Sequence, residues 1–224
     1  MRMCERHRGT GAKGAGKMDD RCQGIWLVGY VLLMLEKMKY NIILASNSPR
    51  RRELLAGLDV DYEVRVIKDI DETYPDSLPV ADIPTYISRE KAAAYTIADN
   101  ELLLTADTVV VLGNEVMGKP VDDADAKRML RELSGKTHQV ITGVCLTTTK
   151  KQHSFSVTTD VTFKELSDDE IDYYVSNYHP LDKAGAYGIQ EWIGYIGVTS
   201  LQGSYFNVMG LPVQRIYEAL ADFE

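Results

Sequence analysis

The chain has 224 residues, enough for one domain that buries about 70% of its unfolded surface and holds a core without disulfides or a structural metal. A composition of 45% hydrophobic and 26% charged residues, with only 7 prolines and 17 glycines, excludes collagen-like, mucin-like and fully disordered classes. The net charge is −8, and over 41–224 only 17 basic residues face 29 acidic ones, so the body repels a nucleic-acid backbone and no nucleic-acid partner is expected.

Three scattered cysteines, Cys4, Cys22 and Cys145, build neither a disulfide framework nor a paired zinc spacing, which makes a reducing cytoplasm the expected compartment. Residues 1–37 read as an N-terminal extension, either disordered or the result of a start assigned too far upstream, with the main domain at 38–224. The extension is basic and Gly-rich, and its apolar run at 25–35 falls short of the roughly 20 residues of a bilayer-spanning helix. The following EKMKY lacks a small-residue cleavage site, which argues against export, so no membrane association is expected and Met34 or Met38 is the natural start.

From Tyr40 onward strands and helices alternate. The apolar run 41–45 reads as a buried strand; Ser48 caps and Pro49 starts a short helix that Gly57 closes. A strand is expected at 62–67, and a helix after Asp82 through Ala98. Residues 102–112 form a buried strand, turned by Gly113-Asn114 into a short return, and a helix over about 122–134 stops at Gly135. Two runs, 138–148 and 154–163, make a hairpin, and Ser167 with Glu170 forms a capping box for the next helix. A Gly-rich stretch from Gly185 to Gly210 and a terminal helix from about Pro212 to Asp222 complete an α/β domain with a mixed β-sheet and flanking helices.

Four segments carry polar groups that packing does not call for. In ASNSPRRR (45–52) a strand end feeds a proline-started helix with three arginines, an arrangement that is unfavourable at a helix N-terminus without an anion and suited to phosphate; a solvated basic turn is the plainer reading. In TADTVVV (105–111) Asp107 interrupts an apolar strand, where a carboxylate must be bonded to backbone, paired, bound to a cation or used as a base. Lys119 in MGKP follows the hairpin and is placed to point back to the same sheet end. DKAGAYGIQ (182–190) and GSYFNVMGLP (203–212) combine small residues, which let backbone approach a flat ligand, with Gln and Asn able to read base edges. No Walker motif, dinucleotide fingerprint, nucleophile elbow or histidine metal spacing is present.

Together with REKA (89–92), GKP (118–120) and LSGKTHQVITGV (133–144), these segments resemble, in order and spacing, the Maf proteins, a family of nucleoside triphosphate pyrophosphatases also called septum-formation inhibitors. The resemblance spans about 38–223. It implies a fold similar to that of the inosine triphosphate pyrophosphatases, two lobes around a nucleotide cleft, usually in a homodimer. The implied chemistry is hydrolysis of a nucleoside triphosphate to monophosphate and pyrophosphate with a divalent cation, Mg²⁺ or Mn²⁺. The family's motif residues fall on Ser46, Arg50, Arg51, Glu72, Lys91, Asp107 and Lys119, with Asp107 matching the proton acceptor and Glu72 a metal ligand or second carboxylate. Asp69 and Asp71 are neighbouring alternatives to Glu72, and Asp107 is either the base or mainly a metal ligand. Arg51, Lys91 and Lys119 are expected to neutralise the phosphates. Arg50, Thr108 and Gln190 match the specificity positions of the branch acting on dTTP and UTP. A second reading, implied by the family's other name, is a nucleotide-binding regulator of cell division without catalysis.

Overall fold

A computed structural model describes residues 39–223; the expected extension at 1–37 lies outside the described residues. The first strand, β1 (Asn41–Leu44), is buried from Ile42 to Leu44, as its unbroken apolar run requires. The chain then enters α1 (Pro49–Ala56): Ser48 is extended, its hydroxyl accepts the Arg51 N–H, and Pro49 fits the first turn. The second strand, β2 (Tyr62–Val64), is shorter than the expected 62–67, because β1 offers register partners only from Ile42 to Leu44. Arg65 makes a last backbone bond to the Leu44 carbonyl at 3.1 Å, and the chain then leaves the sheet.

Helix α2 (Ile83–Ala93) also stops earlier than the expected Ala98. The Ala98 and Asn100 carbonyls are needed elsewhere: they accept from Glu101 and Asn41 at 3.0 and 2.8 Å, which brings the chain back beside β1. There follow β3 (Glu101–Leu112), a turn with Gly113 at φ 64, β4 (Glu115–Met117) and α3 (Asp123–Leu133), capped by Asp122. Strands β5 (Thr137–Thr147) and β6 (Gln152–Phe163) form the expected hairpin. Helix α4 (Asp168–Tyr178) opens with both bonds of the Ser167–Glu170 capping box. The Gly-rich stretch holds more structure than its composition discloses: α5 (Trp192–Gly197), β7 (Val198–Gln202) and α6 (Tyr205–Val208) precede the terminal helix α7 (Val213–Leu220).

The seven strands form one mixed sheet in the order β2-β1-β3-β5-β6-β7, with β4 added to β3; the β2-β1-β3 pairs are parallel and the rest antiparallel. Alternation along β3 separates two faces. Leu102, Leu104 and Ala106 pack with Leu55 and Ile216 from α1 and α7, while Leu103, Val109 and Val111 pack with Ala92, Ile83 and Ile87 from α2. A second core on the α1 side joins α3 and α4 through Leu130, Leu133 and Tyr174.

The pairing pattern of β3 opens the site. Its Glu101–Leu104 segment pairs with β1 and its Val110–Leu112 segment with β4. Between them, residues 105–109 have β5 on one side and an open edge on the other. Side chains from both faces of β3 can be reached across that gap.

Candidate active site

A cavity of about 950 Å³ occupies the gap, lined by the β1–α1 turn, the irregular segment 66–74, the middle of β3, the chain after β4 and the 182–190 segment. Six basic residues line it (Arg50, Arg51, Lys68, Lys91, Lys119 and Lys183) against four acidic ones (Asp69, Glu72, Asp107 and Asp182). A net positive cavity in a chain of −8 concentrates field on a polyanion.

Asp107 lies in the floor. It is 9% exposed, and it faces the α2 side of the sheet opposite Gly143 of β5. A buried carboxylate requires a partner, and α2 supplies one: Lys91 Nζ donates to Asp107 Oδ1 at 2.8 Å and pairs with Glu72 Oε1 at 3.0 Å. Among the acidic neighbours at 69–72, Glu72 is therefore the one that reaches Lys91, whereas Asp71 accepts the Thr73 N–H and Asp69 lines the cavity wall. The segment is steered there by Tyr95, whose hydroxyl accepts from the Ile67 N–H at 2.9 Å and donates to the Arg65 carbonyl at 3.2 Å.

Helix α2 can approach Asp107 this closely because β5 carries glycine at 143. A Cβ there would lie 2.2 Å from the Pro84 carbonyl carbon and 2.3 Å from the Thr85 nitrogen, inside the backbone of the helix's first turn.

The β1–α1 turn brings positive charge to the cavity. Ser46, 7% exposed, accepts the Ser48 N–H, and the first turn of α1 carries three arginines and no acid. Arg51, expected to help neutralise phosphates, is also bonded to the protein itself. Its Nε donates to the Gly210 carbonyl, Nη1 to the Ala106 carbonyl on the open edge of β3, and Nη2 to Thr108 Oγ1, at 2.8, 2.9 and 3.1 Å. Three of its five N–H groups are thus spent on protein acceptors. Burial lowers its pKa, with the charge of Asp107 opposing. Thr108 also bonds Thr142 Oγ1 at 2.9 Å, so its hydroxyl belongs to the same clamp.

Lys119 is exposed at the rim and lines the cavity. Gln190 also lines the cavity, with a buried Oε1 that has no hydrogen-bond partner among the described residues. Arg50 also lines the cavity, and its Nη1 pairs with Asp182 at 2.9 Å. All nine sequence-predicted residues therefore border one cavity. Sequence reading missed Lys183 and Asp182, whose signal is the DK pair opening the DKAGAYGIQ segment.

Among the described residues no group of three or more His, Cys, Asp or Glu side chains converges. The donors the cavity does offer are Asp107 and Glu72, two carboxylates whose oxygens share one ammonium. Mg²⁺ and Mn²⁺ prefer such hard oxygens and commonly take one or two carboxylates with the rest from phosphate and water, so the pair fits such an ion.

The sequence matches the family described as "Maf-like protein" over residues 41–223. Similar proteins include a "dTTP/UTP pyrophosphatase" of Phocaeicola vulgatus, 65% identical over 84% of this chain and 98% of that one. Another of the same name from Bacteroides thetaiotaomicron is 61% identical over 81% of this chain and 95% of its own, and one from Porphyromonas gingivalis is 52% identical over 85% and 98%. Among solved structures, a HAM1 protein from Coxiella burnetii aligns at 15% identity with a TM-score of 0.40, covering 82% of this chain and 99% of that one.

Proposed function

The chain belongs to the Maf-like protein family, and we propose that its cavity hydrolyses dTTP and UTP to the monophosphate and pyrophosphate. The observation that carries this reading is Asp107, a nearly buried carboxylate paired with Lys91 in the floor of a positively charged cavity. A protein that only bound a polyanion would gain nothing from a carboxylate there. No observation favours a non-catalytic regulator of cell division.

Water attacks the α-phosphorus, its proton passes to an Asp107 oxygen, and the bond from the α-phosphorus to the bridging oxygen breaks. Pyrophosphate leaves with the electron pair. The charge that grows on it is met by Lys91, which is already fixed by two carboxylates, and by Lys119 at the rim. Ser46 and the Arg50 N–H, which the Pro49 start and the Ser48 cap leave free in the first turn of α1, hold phosphate oxygens. Arg51 keeps the open edge of β3 in place and adds positive potential, with two N–H groups left for ligand. Asp107 and Glu72 would hold a divalent cation, Mg²⁺ or Mn²⁺, which when bound would neutralise phosphate charge and make water more acidic.

Gln190 reads the base. Uracil and thymine present a ring N–H flanked by carbonyls, and an amide oxygen without a partner is an acceptor for that N–H while the amide N–H₂ donates to a carbonyl. Arg50 and Thr108 also line the cavity, and family resemblance assigns them to base recognition with Gln190. The activity resides in the unit 38–224, which contains every residue named here, and it operates as a cytoplasmic homodimer. The scattered cysteines of the sequence, which build no disulfide framework, support the compartment, and family resemblance supports the dimer. Rates on dTTP, UTP, CTP and 7-methyl-GTP, measured side by side, test the proposal: preference for the first two supports it, and equal rates on all four contradict it.

A further inference from the structure

Four charged side chains form a row of alternating sign, and three of them, Arg50, Asp182 and Lys183, line the cavity. Arg50 Nη1 pairs with Asp182 Oδ2 at 2.9 Å, Lys183 Nζ donates to Asp182 Oδ1 at 2.7 Å and pairs with Glu191 Oε1 at 3.1 Å. Glu191 Oε2 accepts the hydroxyl of Tyr174, and that hydroxyl accepts the Gly188 N–H at 3.0 Å. The Glu191 N–H returns to the Gly188 carbonyl at 3.0 Å, closing the turn that holds Gln190. One end of the row is Arg50 and the other is the Gln190 turn.

Lys183 stands at the centre and is 8% exposed although it lines the cavity. A buried ammonium between two carboxylates contributes little net stability compared with an apolar group of its shape, so its presence calls for another use. The row is neutral in sum, which distinguishes it from the cationic phosphate end of the cavity. Packing around it is close: a Cβ on Gly188 would come within 2.8 Å of Glu191 Cδ and 3.1 Å of Lys183 Cε. Burial acts against ionised Asp182, yet the bonds from Lys183 and Arg50 hold its carboxyl below the usual range.

We infer that Lys183 is a positioning residue for base recognition, tying Arg50 through Asp182, and the Gln190 turn through Glu191, to one fixed spacing. The inference rests on the proposal that Arg50 and Gln190 face the base. Lys183 itself touches protein carboxylates and leaves the phosphates to other residues.

The two products separate the two ends of the site, since dTMP carries the base and pyrophosphate does not. In Lys183→Met, KM for dTTP and the inhibition constant of dTMP should rise about 10- to 100-fold, the scale on which misplaced binding groups act, while kcat changes less. Inhibition by pyrophosphate should be unchanged, and Lys183→Arg should restore part of the loss. Asp182→Asn, on a side chain 58% exposed, keeps the test available if Lys183→Met does not fold, and should show the same pattern by releasing Arg50. Equal weakening of dTMP and pyrophosphate, or no change in either with the fold intact, overturns the inference. A wild type that binds dTMP no better than dGMP contradicts the proposed function instead.

Discussion

Asp107 and Gln190 are both polar groups held in largely buried positions, but their partners differ, and so do the expected effects of changing them. Asp107→Asn keeps an oxygen for Lys91 and removes the basic, charged one, so nucleotide binding should persist while kcat falls about a hundredfold or more, the usual share of a general base. Turnover close to wild type would remove Asp107 from the chemistry. Gln190→Glu replaces the amide donor by a charge facing carbonyl oxygens, so dTTP and UTP should lose about 1–3 kcal/mol of binding while pyrophosphate inhibition stays constant. An equal decline for all four nucleotides would make Gln190 a support of the fold. Single residues were legible where their chemistry contradicts their surroundings, as with Asp107 in an apolar run. Arg51 was legible as a site residue but not as a clamp, because its acceptors at Ala106 and Gly210 are backbone atoms 55 and 159 positions away. Lys183 was not singled out within DKAGAYGIQ, since that segment does not disclose that Glu191 returns to it.

Elements were legible where a local signal fixes them. The Ser48 and Ser167 caps, the Gly113 turn and the long apolar strand all form as read. The ends of β2 and α2 are set by register with β1 and by the return of the chain to β3, which are not local properties. Gly143 belongs to this second class: as one glycine in a strand it looks unremarkable, yet it decides how near α2 lies to the sheet. Gly143→Ala should push the first turn of α2 outward, costing about 1–3 kcal/mol as overpacking does, and should move Lys91 relative to Asp107. Urea denaturation and kcat on the same variant check both consequences. Unchanged stability with unchanged kcat would show that the contact is absent in solution.

At the scale of the molecule, the mixed α/β class followed from the alternation of patterns, whereas the gap in the sheet at residues 105–109 did not. It arises from which strands pair with which half of β3, and no segment encodes it alone. Stability against pH is another whole-fold property, and His138 is its clearest contributor. The ring is 1% exposed, bonds Tyr187 through Nε2 at 2.7 Å, and has no partner for Nδ1 among the described residues. Burial pushes its pKa down from 6.5 to about 4. Between those values the unfolded chain holds the extra proton, so the contribution is full above about pH 6.5 and declines as pH falls toward 4. It is lost below that, to a total of roughly 3 kcal/mol. Urea midpoints for wild type and His138→Gln across this range should show a shallower decline in the variant; identical slopes would place the titration elsewhere.

The central claim, that water attacks the α-phosphorus of a pyrimidine triphosphate in the cavity at β3, is tested most directly by hydrolysing dTTP in water enriched in heavy oxygen and weighing the products. The account predicts dTMP and pyrophosphate, with the label in the dTMP phosphate and none in pyrophosphate. Label in pyrophosphate, or release of dTDP with orthophosphate, would contradict it.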